Sequence, residues 1–442
     1  MIEQPKADGS AAVTVKRETK GISVRAAGLA AAIALAGLLC TAGTAAFAGL
    51  DNWLKFEGDD WDPGFDRSFA QQWETQPARG YPTISPENLK HMRTVIKRYA
   101  DIVAGGGWDP MPLVELHTGM THPAVVALRR RLQAEGDLGR ESGGYPQTFD
   151  SYVEAAVKRA QQRNGMPPTG TVDKNTIRAL NVPASARLRQ LRTNLTRIEQ
   201  LGAPVKGRYV VVNIPAAQIE AVDNDKVVSR HSGVVGKLDR PTPILRSQIQ
   251  EINLNKEWIL PPTVIKEDLV PKARNGKPLD VLKHYGVDIY PDYNAYTKGR
   301  ALDPRNIDWS SNAPMGYFYA QKPGDENPLG YIKINFPSPQ QVYMHDTPAK
   351  SIFARNFRAE SSGCVRIQNI PQLATWLLED NGWTGERVNM MKQSRESLNV
   401  QLKRKVTLYF AYVTSWATPD GMAHFRRDLY DRDGVGVTAT AY

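Results

Sequence analysis

The sequence is poor in cysteine, and this scarcity limits the chemistry that its thiols can perform. The 442 residues include two cysteines, Cys40 and Cys364, and Cys40 lies in an apolar segment near the N-terminus. The rest of the chain holds one thiol, so no disulfide can form within it. A lone thiol in an oxidising compartment is a liability unless it is buried or used chemically. Burial is the commoner fate of a free cysteine, and composition leaves both interpretations of Cys364 open.

The sequence also lacks any block of five consecutive basic residues, although its formal net charge is +10. This absence argues against an arginine-rich arm, and no nucleic-acid partner is expected. The positive balance fits an anionic surface or polymer as a partner, and it equally fits lysines scattered over a solvated surface. The histidines outside the candidate site lack ligand spacing with cysteines or carboxylates, so we predict no metal site and no cofactor.

The N-terminal segment has the order of a secretory signal. A polar, basic stretch ends at Arg25, and an apolar run follows from Ala26 and reaches a small-x-small site at Ala46-Phe47-Ala48. The 23 residues from 26 to 48 are also long enough to span a bilayer, so an uncleaved inner-membrane anchor is the alternative. Both interpretations predict export of the remaining chain to the periplasm or cell envelope.

Periodicity predicts an α+β multidomain protein, with helices in the first half of the exported chain and short strands from residue 207 onward. Within the strand-rich half, residues 264–312 have irregular patterning and are predicted to form a helical or looped insertion. Its position between sheet segments motivates the hypothesis that it caps the site. Asp173 is a candidate N-cap in the helical half. The predicted divisions are a signal peptide or anchor at 1–48, a spacer at 49–85, a helical scaffold at 86–121 and 183–205, an all-α three-helix module at 122–182, a mainly-β domain at 206–415 and a C-terminal tail at 416–442.

Two segments of the strand-rich half carry candidate catalytic residues. Strand alternation puts Tyr343 and His345 on one face, just before a Thr-Pro break. A thiol needs a base or a nearby cation to ionise near neutral pH, and a histidine on a neighbouring strand can act as that base for Cys364. Gly363 permits a tight turn whose N–H groups can face an oxyanion, and Arg366 can bind a carboxylate. By themselves, a cysteine and a histidine are more often buried structural residues.

The two segments together resemble the signature of the YkuD-type L,D-transpeptidase catalytic domain. The chain reads His345-Asp346-Thr347-Pro348 and later Ser361-Ser362-Gly363-Cys364-Val365-Arg366. Many members have a second histidine where this chain has Ser362, and the YcbB-like subgroup shares the Ser-Ser-Gly-Cys form. The segment from Ala156 to Asn181 is similar to the small peptidoglycan-binding domain of many wall enzymes.

The resemblance implies a peptidoglycan L,D-transpeptidase with Cys364 as nucleophile and His345 as general base. It implies that Ser362 orients His345 and that the backbone of Gly363 and Cys364 forms the oxyanion site. The implied reaction joins stem peptides, typically of the meso-diaminopimelate type, into 3-3 cross-links through a thioester and releases D-alanine. Residues implied in substrate binding are Arg366, Tyr343 and Trp258, although core packing is the alternative for Trp258.

Other outcomes remain open for the same residues. Water in place of the acceptor amine would give an L,D-carboxypeptidase, and acceptor choice depends on how well the pocket excludes water. A different acceptor would attach an outer-membrane protein to the wall. The non-enzymatic alternative is a peptidoglycan-binding envelope protein, which predicts a decayed nucleophile motif, whereas the motif around Cys364 is intact.

Overall fold

The structure is a computed structural model that describes residues 82–139, 145–201, 206–355 and 357–434. The predicted signal segment and most of the predicted spacer lie outside the described residues. Within the described ranges, no helix combines the length and the apolar character needed to cross a membrane.

The N-terminal half is helical, as its periodicity predicts, and side-chain caps fix where three of its helices begin. Ser85 caps the first helix, and the carboxylates of Asp150 and Asp173 accept the N–H groups of Val153 and Thr176. The predicted N-cap at Asp173 is therefore confirmed. The helices are α1 (Pro86–Ala104), α2 (Ala124–Glu135), α3 (Ser151–Arg163), α4 (Lys174–Leu180) and α5 (Ala184–Leu201).

These five helices form two packed groups. Helices α2, α3 and α4 enclose a separate apolar core around Leu128, Val157 and Ile177, which makes them the predicted three-helix module. Helices α1 and α5 pack against each other and against the sheet. The scaffold is therefore one layer laid over the β domain, because its apolar stripe is buried there.

The C-terminal half is built around a nine-stranded sheet. The sheet strands are β1 (Arg208–Asn213), β2 (Gln218–Asp223), β3 (Lys226–Gly236), β4 (Leu245–Leu254), β8 (Ile332–Asn335), β9 (Met344–His345), β10 (Ala359–Ser361), β11 (Val365–Ile367) and β12 (Leu398–Ala411). Their order is β10-β3-β11-β9-β8-β4-β12-β1-β2, and β3 also pairs with β2, so the strand pairings close into a circuit. Two helices, α10 (Ile370–Leu377) and α11 (Gly385–Ser394), follow β11 and pack on the same core.

Alternation along β1 and β12 divides the core between two faces. Val210, Val212 and Phe410 point into the interior of the strand circuit, whereas Tyr209 and Tyr409 point toward the helical scaffold. Both sets are buried, because the scaffold covers the outer face. These strands therefore lack the alternation between apolar and polar residues that a half-exposed strand shows.

The insertion is more regular than its irregular pattern predicts. Strands β5 (Trp258–Ile259), β6 (Val287–Tyr290) and β7 (Phe318–Gln321) form a separate three-stranded sheet in the order β5-β7-β6. Two of these strands lie outside the predicted 264–312 boundaries, so the folded insertion is wider than predicted. Its helices are α6 (Pro262–Val264), α7 (Val270–Asn275), α8 (Pro278–Tyr285) and α9 (Tyr293–Thr297), with a π-helical turn at Ile265–Leu269 between α6 and α7.

The predicted boundary at 415/416 is wrong, because it falls inside a strand. Strands β13 (Ser415–Ala417) and β14 (Ala423–Phe425) form a hairpin that packs against α1 and α5. Phe425 is fully buried in the scaffold core. The C-terminal segment is therefore part of the body of the protein and not a separate tail.

Candidate active site

Three adjacent strands present the candidate residues. Residue Lys333 of β8 lies opposite His345 of β9 in antiparallel register, and Arg366 of β11 lies opposite the same histidine in parallel register. Their neighbours Met344 and Val365 point into the core. By the period-two alternation of strands, Lys333, His345 and Arg366 share the opposite face.

Tyr343 connects the thiol of Cys364 to this group of residues, because it contacts both the thiol and Lys333. Cys364 immediately precedes β11, is half-buried and is not in a disulfide. Its side chain hydrogen-bonds with the side chain of Tyr343, and the next residue, Val365, donates its N–H to the Tyr343 carbonyl at 3.0 Å. Burial raises the pKa of the Cys364 thiol, and Tyr343, Lys333 and Arg366 act in the opposite direction.

The imidazole of His345 is buried, with 6 % of its surface exposed. Its Nδ1 lies 2.5 Å from the carbonyl oxygen of Asp346. Burial and the positive charge of Arg366 lower the pKa of His345 to about 3, so the ring is neutral at neutral pH. The strand register places His345 diagonally from Cys364, on the strand beside it.

The turn before Cys364 is held by a chain of hydroxyl groups. Gly363 has a φ of +110°, a conformation that side chains with a Cβ rarely adopt. Its N–H donates to Ser361 Oγ at 3.1 Å, and that hydroxyl donates to the Cys364 carbonyl at 2.5 Å. Thr242 Oγ1 donates to the Gly363 carbonyl at 2.9 Å. The N–H of Gly363 is therefore bonded within the turn, and the oxyanion role of the Gly363 and Cys364 backbone stays a prediction.

The hydroxyl of Ser362 does not orient His345 in this structure. It accepts a hydrogen bond from Arg240 Nη1 at 3.2 Å, and Arg240 also pairs with Glu267 of the insertion. The hydroxyl links the turn to the insertion, and an orienting role for Ser362 through its carbonyl stays a prediction. The backbone carbonyls of Asp346 and Pro328 contact His345 instead.

The predicted substrate-binding residues have different environments. Arg366 is 3 % exposed, and its Nε is buried without a hydrogen-bond partner among the described residues. Tyr343 is half-buried beside the thiol. Trp258 is 4 % exposed, packs in the core of the insertion and hydrogen-bonds with Tyr343. Core packing, the alternative interpretation of Trp258, covers its ring in this structure.

Lys333 is a site residue that the sequence did not reveal. Its Nζ lies 4.3 Å from the centroid of the Tyr343 ring. The alternation of residues 331–336 indicates a strand, but the pairing of β8 with β9 cannot be read from that pattern. Within the described residues, no group of three or more potential metal ligands comes together.

The fold and the site define a class of protein with a β-sheet domain that presents a lone cysteine beside a histidine, joined to a three-helix module. Residues 207–390 match the YkuD family, described as the L,D-transpeptidase catalytic domain. Residues 121–180 match the family described as "Putative peptidoglycan binding domain". Each of these two segments matches the family that its sequence resembles, so both predicted resemblances are confirmed.

A curated relative and two solved structures are similar to the chain. The relative is "Putative L,D-transpeptidase" of Haemophilus influenzae, 32% identical over 226 residues, which cover 51% of this chain and 44% of the relative. The match therefore spans less than half of that protein's length. An L,D-transpeptidase structure from Stackebrandtia nassauensis is 13% identical with a TM-score of 0.26, covering 67% of this chain and 94% of that one. One from Xylanimonas cellulosilytica is also 13% identical, with a TM-score of 0.21 and coverage of 68% and 100%. Scores this low add nothing to the family match.

Proposed function

We propose that the protein is a peptidoglycan L,D-transpeptidase that forms 3-3 cross-links between stem peptides in the cell envelope. The observation that supports this function best is the free, half-buried thiol of Cys364, beside Tyr343 and diagonal to His345, within an L,D-transpeptidase catalytic domain. A reactive cysteine is partially exposed and close to cationic groups, and Cys364 has both properties. The meso-diaminopimelate type of stem is the expected substrate.

The first step is acylation of Cys364. The thiol proton passes to the neutral imidazole of His345, and the thiolate attacks the carbonyl carbon that precedes the terminal D-alanine of a tetrapeptide stem. The carbon–nitrogen bond breaks, the proton passes to the leaving amine, and D-alanine departs. The stem remains as a thioester on Cys364. With the N–H of Gly363 already bonded, the N–H of Cys364 is the proposed oxyanion donor.

The second step transfers the stem to an acceptor. The side-chain amine of a second stem attacks the thioester carbonyl, and the carbon–sulfur bond breaks as the new amide forms. The amine gives up a proton, and Cys364 returns to a thiol. Attack by water would instead release a tripeptide, which is the carboxypeptidase outcome.

Substrate binding is assigned to Arg366 and to the three-helix module. A buried guanidinium nitrogen without a partner costs free energy, and a carboxylate of the stem would satisfy Arg366 Nε. The module supplies a second attachment to the same polymer, which raises the effective concentration of stems at the thiol.

The test is to incubate the full chain with tetrapeptide muropeptides and follow the products by mass spectrometry. A cross-linked dimer with one D-alanine lost per link, present with wild type and absent with Cys364→Ala, is the expected result. Only tripeptide monomers would replace the proposal with a carboxypeptidase. No product, with wall binding retained in both proteins, would contradict enzymatic function and favour a binding protein.

A further inference from the structure

A lysine faces the candidate nucleophile from the strand on the far side of His345. Lys333 lies at the centre of β8, paired with His345 on one side and with Asn253 of β4 on the other. Its Nζ lies 4.3 Å from the Tyr343 ring centroid, and the side chain of Tyr343 hydrogen-bonds with Cys364. Lys333 thus contacts the ring of Tyr343, and Tyr343 in turn contacts the thiol.

This lysine is half-buried, yet it has no ion-pair partner in the part of the chain that the structure describes. The anionic groups that act on it are Cys364 and, more weakly, Glu251 of β4. The carboxylate of Glu251 accepts hydrogen bonds from the amides of Asn253 and Gln401. A desolvated cation without a paired anion is costly for a fold. Its retention on this face therefore needs a functional explanation.

A thiolate at Cys364 needs a positive charge, and His345 is poorly suited to supply it. Arg366 and Lys333 both disfavour the imidazolium form, and the pKa of His345 is lowered to about 3. A resting imidazolium–thiolate pair is therefore disfavoured in these surroundings. The cations that face the thiol are Lys333 and Arg366, and Lys333 has the larger effect. The negative charge of Glu360 partly offsets the positive charge of Arg366.

We propose that Lys333 supplies the positive charge that stabilises the Cys364 thiolate, acting across the ring of Tyr343. The proposal rests on the assignment of Cys364 as nucleophile. His345 then serves as a transient proton carrier, and the charge that persists beside the thiolate belongs to Lys333. Lys256 is the other lysine of this neighbourhood, and it acts on Lys333 and not on the thiol.

The test measures the ionisation of Cys364 directly. The full chain is alkylated with iodoacetamide, a neutral reagent, over a range of pH, and modification of Cys364 is separated from that of Cys40 by peptide mass spectrometry. We expect Lys333→Met to raise the midpoint of the pH profile by about one unit and to slow alkylation near neutral pH about tenfold. Lys333→Arg, which keeps the charge, should restore the profile, and Lys256→Met is the matched control that should leave it at the wild-type midpoint.

The direction of the change in alkylation rate distinguishes loss of the counter-charge from misfolding. Unfolding exposes the thiol and speeds alkylation, whereas loss of the counter-charge slows it. An unshifted profile in Lys333→Met, or equal shifts in Lys333→Met and Lys256→Met, would overturn the proposal. Alkylation of Cys364 does not require cross-linking activity, so the two proposals can fail separately. If the pH midpoint of alkylation shifts as expected but the protein forms no cross-links, the proposed function is overturned and the role of Lys333 stands.

Discussion

At the residue scale, Gly363 is the position where backbone conformation constrains the site most directly. Its φ of +110° lies where side chains with a Cβ are strained, although a Cβ built there meets its nearest neighbour, Val342 Cγ1, at 3.5 Å. We expect Gly363→Ala to lower the free energy of unfolding by about 1–3 kcal/mol, because the cost comes from the backbone and not from a clash. Urea unfolding measures this change in the free energy of unfolding.

The matched control for that variant is Gly324→Ala, where no described atom lies within 4 Å of the added Cβ and φ is not positive. It should leave stability nearly unchanged. An equally small loss of stability in the two variants would show that the turn tolerates a Cβ. Cross-linking activity should fall with Gly363→Ala alone, since the turn positions Cys364.

A buried histidine away from the site makes stability depend on pH. Burial lowers the pKa of His231 from 6.5 to about 4, although the Gln368 carbonyl acts in the other direction. Between these values the unfolded chain binds more protons than the folded one, so acidification favours unfolding. Stability should fall as pH drops from 6.5 to 4, and His231→Gln should reduce that fall by about 3 kcal/mol.

Chemical unfolding at several pH values tests this dependence. His117→Gln, at an exposed histidine, is the matched control and should keep the wild-type pH profile. A profile for His231→Gln parallel to that of wild type would contradict the assignment of the acid sensitivity to His231.

At the element scale, the C-terminal segment supports the turn that holds Cys364. Tyr430 Oη accepts the N–H of Thr242 at 3.1 Å and donates to the Gly236 carbonyl at 2.6 Å, and Thr242 Oγ1 donates to Gly363. We expect Tyr430→Phe to cost about 1–3 kcal/mol, because Thr242 N–H and the Gly236 carbonyl both lose a partner. Thermal unfolding measures the loss.

Tyr145→Phe is the matched control, because Tyr145 is exposed on the helical module. Tyr430→Phe should also lower the rate of cross-linking, since the hydrogen-bonded path from Tyr430 ends at the turn. A variant with reduced stability and an unchanged rate below its melting temperature would show that the segment supports the fold without positioning Cys364.

The elements that could be predicted are those whose signals are local. The cap at Asp173 and the helical periodicity predict the helices, because both depend on neighbours a few residues away. Strand β9 is only two residues long, and the sheet of the insertion joins segments about sixty residues apart. Such pairings depend on long-range contacts, so no local pattern reveals them.

The same distinction explains which site residues could be predicted. Cys364 and His345 stand in recognisable motifs, whereas Lys333 enters the site only through the β8–β9 register. Trp258 looks like a pocket aromatic in the sequence, and only tertiary packing shows that its ring is covered. The partner of Ser362 likewise comes from a distant loop.

At the scale of the whole molecule, a buried charge network joins the three-helix module to the scaffold. Glu135 accepts a hydrogen bond from Tyr99 of α1 at 2.6 Å and pairs with Arg131 at 2.6 Å and with Arg163. These arginines hold the pKa of Glu135 well below its usual range in spite of burial. We expect Glu135→Gln to destabilise the protein by about 3–5 kcal/mol, because the buried guanidinium of Arg131 loses its anion and that of Arg163 keeps only Asp137.

Glu199→Gln is the control, since the Arg93–Glu199 pair is exposed and should contribute less than about 1 kcal/mol. The effect of Glu135→Gln should persist at high salt, because buried pairs are screened weakly. Since the network fixes the module on the scaffold, the variant below its melting temperature should still cross-link soluble muropeptides but lose activity on intact wall. Equal losses on both substrates would show that Glu135 maintains folding alone, and equal retention would show that the position of the module does not limit the reaction.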